Sequence, residues 1–199
     1  MSTTSAVGII FSNIHDKSIS QLTKSRTMAS VPFGCRYRLI DFALSNMVNS
    51  GITHVGVVTH YNYRSLMDHL GTGKDWDLAR KQGGIQILPP FITAFANAHN
   101  SLYRTRLEAL ISIKSFISDC KEELVVLSDC DVICNIDLEE MIEAHLESGA
   151  DATLAVKSSY VSVGAGKSVP VVECDAGGRI MDISDFTDAR GGFKDVQLN

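Results

Sequence analysis

Side chains that could bind a ligand follow two apolar runs typical of buried strands. Asp129 and Asp131 come after residues 124–127 (LVVL), and His60 comes after 55–59. Carboxylate oxygens are the ligands that Mg²⁺ prefers, and α/β folds bind ligands beyond the carboxyl ends of their strands. The pattern therefore places Asp129 and Asp131 where an α/β fold binds ligands, and a site for a metal that prefers oxygen ligands is conceivable there. Two loop aspartates that merely cap turns would produce the same pattern, so this alternative stays open.

The elements that must position these residues are indicated by apolar periodicity. Strands are predicted at 6–11, 55–59, 84–88 and 124–127, and helices at 37–49, 61–70 and 137–146, with another helix marked by Leu107, Leu110, Ile111, Phe116 and Ile117. Asp137 is a suitable N-cap for its helix, with Glu140 three residues later and Gly149 just past the end. Alternating strands and helices predict a parallel sheet with right-handed crossovers.

The pattern changes in the last quarter of the chain. Strands are predicted at 152–156, 169–173 and 179–183, with a hairpin turn at 175–178. The 199 residues correspond to about one domain of ~100–200 residues. A net charge of −5 without a run of Lys or Arg argues against a nucleic-acid partner. No apolar run approaches the ~18 residues of a membrane span, so no membrane association is expected.

The cysteines do not predict a metal site. Their number is five, which is odd, and their spacing matches no disulfide framework, so we expect reduced thiols and a cytoplasmic location. Cys130 and Cys134 have no second Cys/His pair nearby in the sequence, which makes zinc an unfavoured interpretation. His54 and His145 lie on strand and helix patterns, where core or rim positions are the expected roles.

One string is specific enough to indicate a family. Residues 31–46, VPFGCRYRLIDFALSN, resemble the VPFGGKYRIIDFALSN segment of the glucose-1-phosphate adenylyltransferase (ADP-glucose pyrophosphorylase) family. GITHVGVVTHY at 51–61 continues the match in register, as do 22–26, 127–137 and 145–153. The resemblance implies a Rossmann-like α/β nucleotidyltransferase domain, with a mixed, mostly parallel sheet and helices on both faces. It also implies that residues 1–199 are an incomplete form of that domain, without the family's C-terminal left-handed β-helix.

The chemistry implied by this resemblance is metal-assisted nucleotidyl transfer. Glucose 1-phosphate attacks the α-phosphorus of ATP, pyrophosphate leaves, and ADP-glucose forms. Positioning and charge stabilisation are what such a reaction requires of a protein. Active members have a GGxGxR loop after the first strand, a lysine in an RAKP string, and a Mg²⁺-binding aspartate in a GDH string.

This sequence departs from the family at all three features. The loop reads SNIHDKS at 12–18, without the glycines that let a backbone approach pyrophosphate closely. Ser18 replaces the basic loop residue, and Met28 replaces the RAKP lysine. Cys130 replaces the metal-binding aspartate in one alignment, whereas a shift of one residue puts Asp129 or Asp131 there. Mg²⁺ is therefore a family expectation only.

The positions aligned with the family's nucleotide contacts are vestigial nucleotide-binding candidates. They are Ser12, Asn13, His15, Lys17, His60 and Thr105. Lys17 or His15 could partly replace the lost positive charge, although a solvated loop is the simpler role for each. His60 replaces the glutamine of the family's TQY string, and Thr105 follows Arg104, which replaces the glycine of its GTAD string.

The combined losses resemble the D-type branch of the family. Such subunits accompany a catalytic C-type subunit in a hetero-oligomer, so a regulatory role in glycogen biosynthesis is the hypothesis that the resemblance supports. ATP, ADP-glucose or a sugar phosphate could still bind. Two alternatives stay open: an active sugar-nucleotide transferase with a rearranged phosphate loop, and a module that senses a nucleotide or sugar phosphate.

Overall fold

The computed structural model describes residues 5–14, 16–89, 103, 105–162, 168–187 and 193–198. They belong to two compact units, Met1–Glu139 and Glu140–Asn199. The strands are β1 Ala6–Phe11, β2 Pro32–Phe33, β3 Tyr37–Arg38, β4 His54–Val58, β5 Gly84–Leu88, β6 Leu124–Asp129, β7 Lys157–Ser162, β8 Ser168–Cys174, β9 Ile180–Thr187 and β10 Phe193–Leu198. The α-helices are α1 Ser20–Thr23, α2 Leu39–Asn49, α3 Arg64–Leu70, α4 Arg106–Ser112, α5 Lys114–Asp119 and α6 Leu138–Ser148. Short 3₁₀ turns cover Asp16–Ile19, Met28–Ser30 and Lys74–Trp76.

The first unit is built on a parallel sheet with the strand order β5-β4-β1-β6. β1 lies between β4 and β6, with Gly8 opposite Val55 on β4 and Val126 on β6. Every residue of β1 is buried, as its uninterrupted apolar run predicts for a strand covered on both faces. The predicted parallel α/β sheet is therefore confirmed.

Helices cover both faces of β1. On one face, Ile9 and Phe11 belong to a buried cluster with Ala109 of α4 and Ile113 beside it. On the other face α2 approaches the backbone of the strand directly, because a Cβ placed on Gly8 would lie only 2.4 Å from Sδ of Met47. A glycine at this position therefore permits the close packing of helix on strand.

The helix predicted at 37–49 begins two residues later than expected. Tyr37 and Arg38 instead pair antiparallel with β2. The Asp41 carboxylate accepts a hydrogen bond from the Arg38 backbone N–H at 2.9 Å, which satisfies one of the donors that a helix start leaves free. Gly51, with φ of +75°, ends the helix as its sequence position predicts.

The apolar face predicted for the helix marked by Leu107 and Ile111 is partly wrong. The stretch forms two helices, α4 and α5, and Leu107 and Ile111 are 68% and 65% exposed. The buried positions are Ala109 and Ile113, because this stripe is the one that faces β1 and the end of β5. Periodicity alone does not distinguish two overlapping apolar stripes on one helix.

The second unit contains a sheet of different type. β7, β10, β8 and β9 are adjacent in that order, and their pairings are antiparallel. The predicted hairpin turn joins β8 to β9, where Oδ1 of Asp175 accepts hydrogen bonds from the N–H groups of Gly177 and Arg179, both at 2.9 Å. The strand predicted at 152–156 is wrong, since β7 begins only at Lys157, where its pairing with β10 starts.

The helix α6 begins as the sequence predicts. Oδ1 of Asp137 accepts a hydrogen bond from the Glu139 N–H at 2.9 Å, the geometry of an N-cap. Leu138 is buried, whereas Leu146 is 49% exposed. Within the part of the chain that the structure describes, no helix has the length and apolar character needed to cross a membrane.

Candidate functional site

The candidate site lies at the carboxyl ends of β1, β4 and β6. Ser12 and Asn13 follow β1 directly and are buried, with 0% and 8% exposure. The Ser12 N–H donates to the Val58 carbonyl at 3.1 Å, and the Ala29 N–H donates to the Ser12 carbonyl at 3.3 Å. The loop after β1 is therefore held between β4 and the segment around Met28.

Asn13 is the centre of a buried hydrogen-bond network. Its Oδ1 accepts from the Ser12 hydroxyl at 2.7 Å and from the His60 backbone N–H at 2.8 Å. Its Nδ2 donates to Oδ2 of Asp16 at 2.6 Å. Two of the predicted nucleotide-binding residues thus use their polar atoms to fix the loop itself.

Asp16 adds a negative charge to this loop, as the sequence indicates, but the sequence does not indicate that its side chain is buried. Its side chain is buried, with 3% exposure, and Oδ1 accepts the backbone N–H of Met28 at 2.8 Å. Burial raises the pKa of Asp16, against the lowering effect of the hydrogen bonds from Asn13 and Met28. A buried carboxyl group therefore lies within the loop that aligns with the family's GGxGxR loop.

Three side chains at positions aligned with the family's phosphate loop and RAKP lysine are not placed to bind phosphate. Lys17 and Ser18 are exposed, and Met28 is buried with 4% exposure. His15 lies outside the described residues. The one cation among the described members of this loop, Lys17, therefore extends into solvent.

An aromatic cluster borders the loop at the end of β4. The His60 ring lies 4.7 Å from the ring of Tyr61 and 4.7 Å from that of Tyr103, measured between centroids. Burial lowers the pKa of His60, whereas burial and the charge of Asp16 raise the pKa values of both tyrosines. His60 is accordingly a neutral ring in an environment that disfavours added negative charge.

Several polar atoms of this cluster have no hydrogen-bond partner in the described structure. They are Oγ1 of Thr59, Nε2 of His60 and the hydroxyl of Tyr103, all buried. Buried polar atoms are normally paired, so such atoms indicate a position where a bound group could supply the partner. The two hydroxyls can donate or accept a hydrogen bond, so these atoms can bind a polar ligand group.

The candidate metal ligands lie at the end of β6. Both oxygens of Asp129 accept hydrogen bonds from Arg106: Nε is 3.0 Å from Oδ1, and Nη2 contacts Oδ2. This hydrogen bond raises the pKa of Arg106, and the charges of Asp129 and Asp131 add to the effect. No third His, Cys, Asp or Glu donor joins these two aspartates among the described side chains. The residues present fit Mg²⁺ poorly, because the ion would have to displace a guanidinium.

The remaining two predicted positions have structural roles. Cys130 is buried, with its Sγ 3.6 Å from the Ser12 carbonyl and its N–H donating to the Phe11 carbonyl at 3.1 Å. Burial raises the pKa of the Cys130 thiol, which keeps it protonated. Thr105 caps α4, since its Oγ1 accepts the Glu108 N–H at 3.1 Å. The Thr-x-x-Glu spacing is the sequence signal of a capping box.

Comparison with known proteins shows which family the chain belongs to. The family model for nucleotidyl transferases matches residues 17–185. The chain belongs to the nucleotidyl transferase family. This confirms the family resemblance seen in the sequence and the Rossmann-like α/β class.

Similar proteins include one named as a glycogen biosynthesis protein and several named as glucose-1-phosphate adenylyltransferases. The chain is 38% identical over 147 residues to the glycogen biosynthesis protein GlgD of Geobacillus stearothermophilus, covering 74% of this chain and 42% of the relative. It is 38% identical over 149 residues to a glucose-1-phosphate adenylyltransferase of Pseudothermotoga lettingae, covering 75% and 34%. The corresponding enzyme of Thermotoga maritima is 34% identical over 179 residues, covering 90% and 41%. The matched part of the chain thus spans 34–42% of the length of these relatives.

Proposed function

We propose that this chain belongs to a D-type subunit that modulates a catalytic C-type partner in ADP-glucose synthesis and has little or no catalysis of its own. The observation that carries the proposal is the buried Asp16 carboxylate. It accepts the hydrogen bonds of the Met28 N–H and the Asn13 amide inside the loop that aligns with the family's phosphate loop. Two donors that could bind an anion in this region, the Asn13 amide and the Met28 N–H, are therefore already used internally.

The charge of Asp16 adds an energetic argument. An ionised Asp16 would repel phosphate groups that approach the loop, and burial strengthens such repulsion because little water screens it. Lys17 is exposed, and the residue at the position of the family's RAKP lysine is Met28. A triphosphate would therefore meet repulsion without the fixed cation that compensates it in an active site.

The aspartates at the end of β6 support the same proposal. A Mg²⁺ ion at Asp129 and Asp131 stays a prediction of the resemblance, and we propose that it binds weakly because Arg106 already neutralises Asp129. When bound, such an ion would supply charge stabilisation to phosphate groups. The residues present instead hold Asp129 as one partner of a bidentate ion pair.

A second candidate function is suggested by the unpartnered polar atoms near His60. Thr59 Oγ1, His60 Nε2 and the Tyr103 hydroxyl could bind a nucleoside or sugar group without its phosphates being held strongly. Under this candidate the chain senses ATP, ADP-glucose or a sugar phosphate. Ser12, Asn13, His15, Lys17, His60 and Thr105 would then be vestigial nucleotide-binding positions, of which His60 is the one that the geometry favours as a contact.

The experiment measures pyrophosphate release from ATP and glucose 1-phosphate by the full-length protein, with and without a C-type catalytic subunit. We expect negligible turnover alone and altered kinetics of the partner when the two are combined. Robust turnover alone would overturn the proposal in favour of an active transferase with a rearranged loop. Unchanged partner kinetics together with tight nucleotide binding would favour the sensing module.

A repaired loop provides a second test of the same idea. The variant carries N13G, I14G, D16G, S18R and M28K, which together restore the family's glycines and cations. Its control carries the same substitutions without D16G, so the two differ only in the internal carboxylate. We expect ATP binding to improve in the full set and to improve less in the control.

The proposal also includes the partner protein and the cellular location of this chain. We propose a hetero-oligomer with the C-type subunit in the cytoplasm, in keeping with free thiols and the absence of any basic run in the sequence. Co-purification of the full-length protein with a C-type subunit, followed by size-exclusion chromatography, tests the assembly. Separate elution of the two proteins at micromolar concentration would contradict it.

A further inference from the structure

A cluster of metal-binding side chains lies at the opposite end of the first sheet from the candidate functional site. His54 is the first residue of β4, and Cys120 and Glu122 lie between α5 and β6. The amino ends of parallel strands lie at the same end of a sheet. At ~3.3 Å per residue, the length of β6 separates this cluster from the aspartates at the carboxyl end of β6 by about 16 Å.

The three side chains are already close together. Nδ1 of His54 is 2.9 Å from Oε1 of Glu122, and the donor atoms of His54, Cys120 and Glu122 all lie within 4.8 Å of one another. A tetrahedral ion with bonds of about 2.0–2.3 Å places its ligand atoms about 3.3–3.8 Å apart. Small side-chain rotations would therefore bring all three donors to a common ion.

The His54 ring presents one nitrogen to the cluster. Its Nδ1 faces Glu122, while the ring packs against Phe116 with centroids 5.3 Å apart. The ion therefore binds Nδ1 and replaces the hydrogen bond between Nδ1 and Glu122. In the neutral ring the proton then lies on Nε2, which is buried and has no hydrogen-bond partner in the described part of the chain.

We propose that His54, Cys120 and Glu122 bind one divalent transition-metal ion, with Zn²⁺ as the best match. Thiolate, imidazole and carboxylate are the ligands that Zn²⁺ uses in proteins, whereas a thiolate disfavours Mg²⁺. Binding exchanges the thiol proton of Cys120 for the metal and releases that proton to solvent. The ion would join the connection before β6 to the start of β4, independently of any nucleotide.

Sequence spacing gives no indication of this cluster. His54 and Glu122 are 68 positions apart, and the short Cys/His spacings of common zinc motifs are absent around them. The sequence predicts a core or rim position for His54, which agrees with its burial. It does not predict that Cys120 and Glu122 lie beside the His54 ring. Only the pairing of β4 and β6 with β1 brings these donors together.

Cobalt spectroscopy of the reduced, tag-free full-length protein tests the proposal. Titration with Co²⁺ should produce a thiolate-to-metal charge-transfer band that saturates at one ion per chain, and Zn²⁺ should abolish it. The Cys120→Ser variant should lose the band and bind Zn²⁺ at least about tenfold more weakly. The exposed Cys35 provides the control, because Cys35→Ser should leave band and affinity unchanged.

Other results would overturn the proposal. They are the absence of a charge-transfer band, a band that persists in Cys120→Ser, and a band lost in Cys35→Ser. The Glu122→Gln variant serves as an independent test because it keeps the thiol and the shape of the side chain. It should fold like the wild type by circular dichroism and bind Zn²⁺ at least about tenfold more weakly. Unchanged affinity in that variant would exclude Glu122 from the site.

Discussion

Replacement of Asp16 by alanine tests the internal carboxylate on which the proposed function depends. In the wild type, Oδ1 accepts the Met28 N–H at 2.8 Å and Oδ2 accepts the Asn13 amide at 2.6 Å. Asp16 is 3% exposed, so water does not readily replace these contacts. Alanine would leave two buried donors without acceptors.

The magnitude follows from those two donors. An unsatisfied buried donor costs about 1–3 kcal/mol, which gives about 2–6 kcal/mol for the pair. Removal of a buried charge offsets part of this loss, since burial already disfavours the ionised form of Asp16. We therefore expect Asp16→Ala to lower the free energy of unfolding by about 2–3 kcal/mol. Asp16→Asn, which keeps one acceptor, should lose less.

Urea unfolding followed by tryptophan fluorescence measures the free energy of unfolding of the first unit, which contains Asp16. Trp76 is the single tryptophan and belongs to the first unit. With a slope near 2 kcal/mol/M, the expected loss moves the midpoint by about 1 M or more. The exposed Asp68 in α3 provides a matched control, and Asp68→Ala should stay within about 0.5 kcal/mol of wild type. Equal midpoints for Asp16→Ala and Asp68→Ala would refute the reasoning.

Three further predictions concern pH and packing. Because burial raises the pKa of Asp16 above 3.8, the folded state holds this proton more tightly than the unfolded chain. The contribution of Asp16 to stability is thus full at low pH and is lost as pH rises through the folded pKa. The stability of wild type relative to Asp16→Asn should therefore fall as the pH rises above 3.8. Burial lowers the pKa of His60, so its ring resonances should titrate below pH 6.5 by NMR, and its contribution to stability should be lost as pH falls through that lower pKa. An inflection at or above 6.5 would contradict the burial of this ring. Gly8→Ala should cost about 1–3 kcal/mol in urea unfolding, because the new Cβ meets Sδ of Met47 at 2.4 Å, and the double variant with Met47→Val should lose less than the sum of the two single variants.

Local pattern alone determines the framework of this chain. Ala6–Phe11 and Gly84–Leu88 are strands at the bounds predicted from their sequences. Asp137 caps a helix and Gly51 ends one, because each of these residues meets a local backbone requirement. The string at 31–46 is equally local, and it indicates a family that the wider comparison confirms. In each case the information lies within a few neighbouring residues.

Local pattern was insufficient where a partner strand or a choice of face decides the outcome. Residues 152–156 have strand-like sequence but no strand, because a strand requires an available partner and the pairing with β10 begins only at Lys157. Leu107 and Ile111 are apolar yet exposed, since the sheet contacts a neighbouring stripe of the helix. Such choices depend on what lies opposite, and the sequence of one element does not contain that information.

The chemistry of the sites depends even more on tertiary structure. The sequence identified the loop after β1 and the aspartates after β6 as the places to examine, since both follow strands of a parallel sheet. It did not indicate that Asp16 would turn inward to the Met28 N–H, or that Arg106 would pair with Asp129 across 23 positions. Hydrogen bonds and ion pairs form between groups that the fold brings within about 3 Å. Residue types are determined by sequence, whereas their partners are determined by the packing of distant segments.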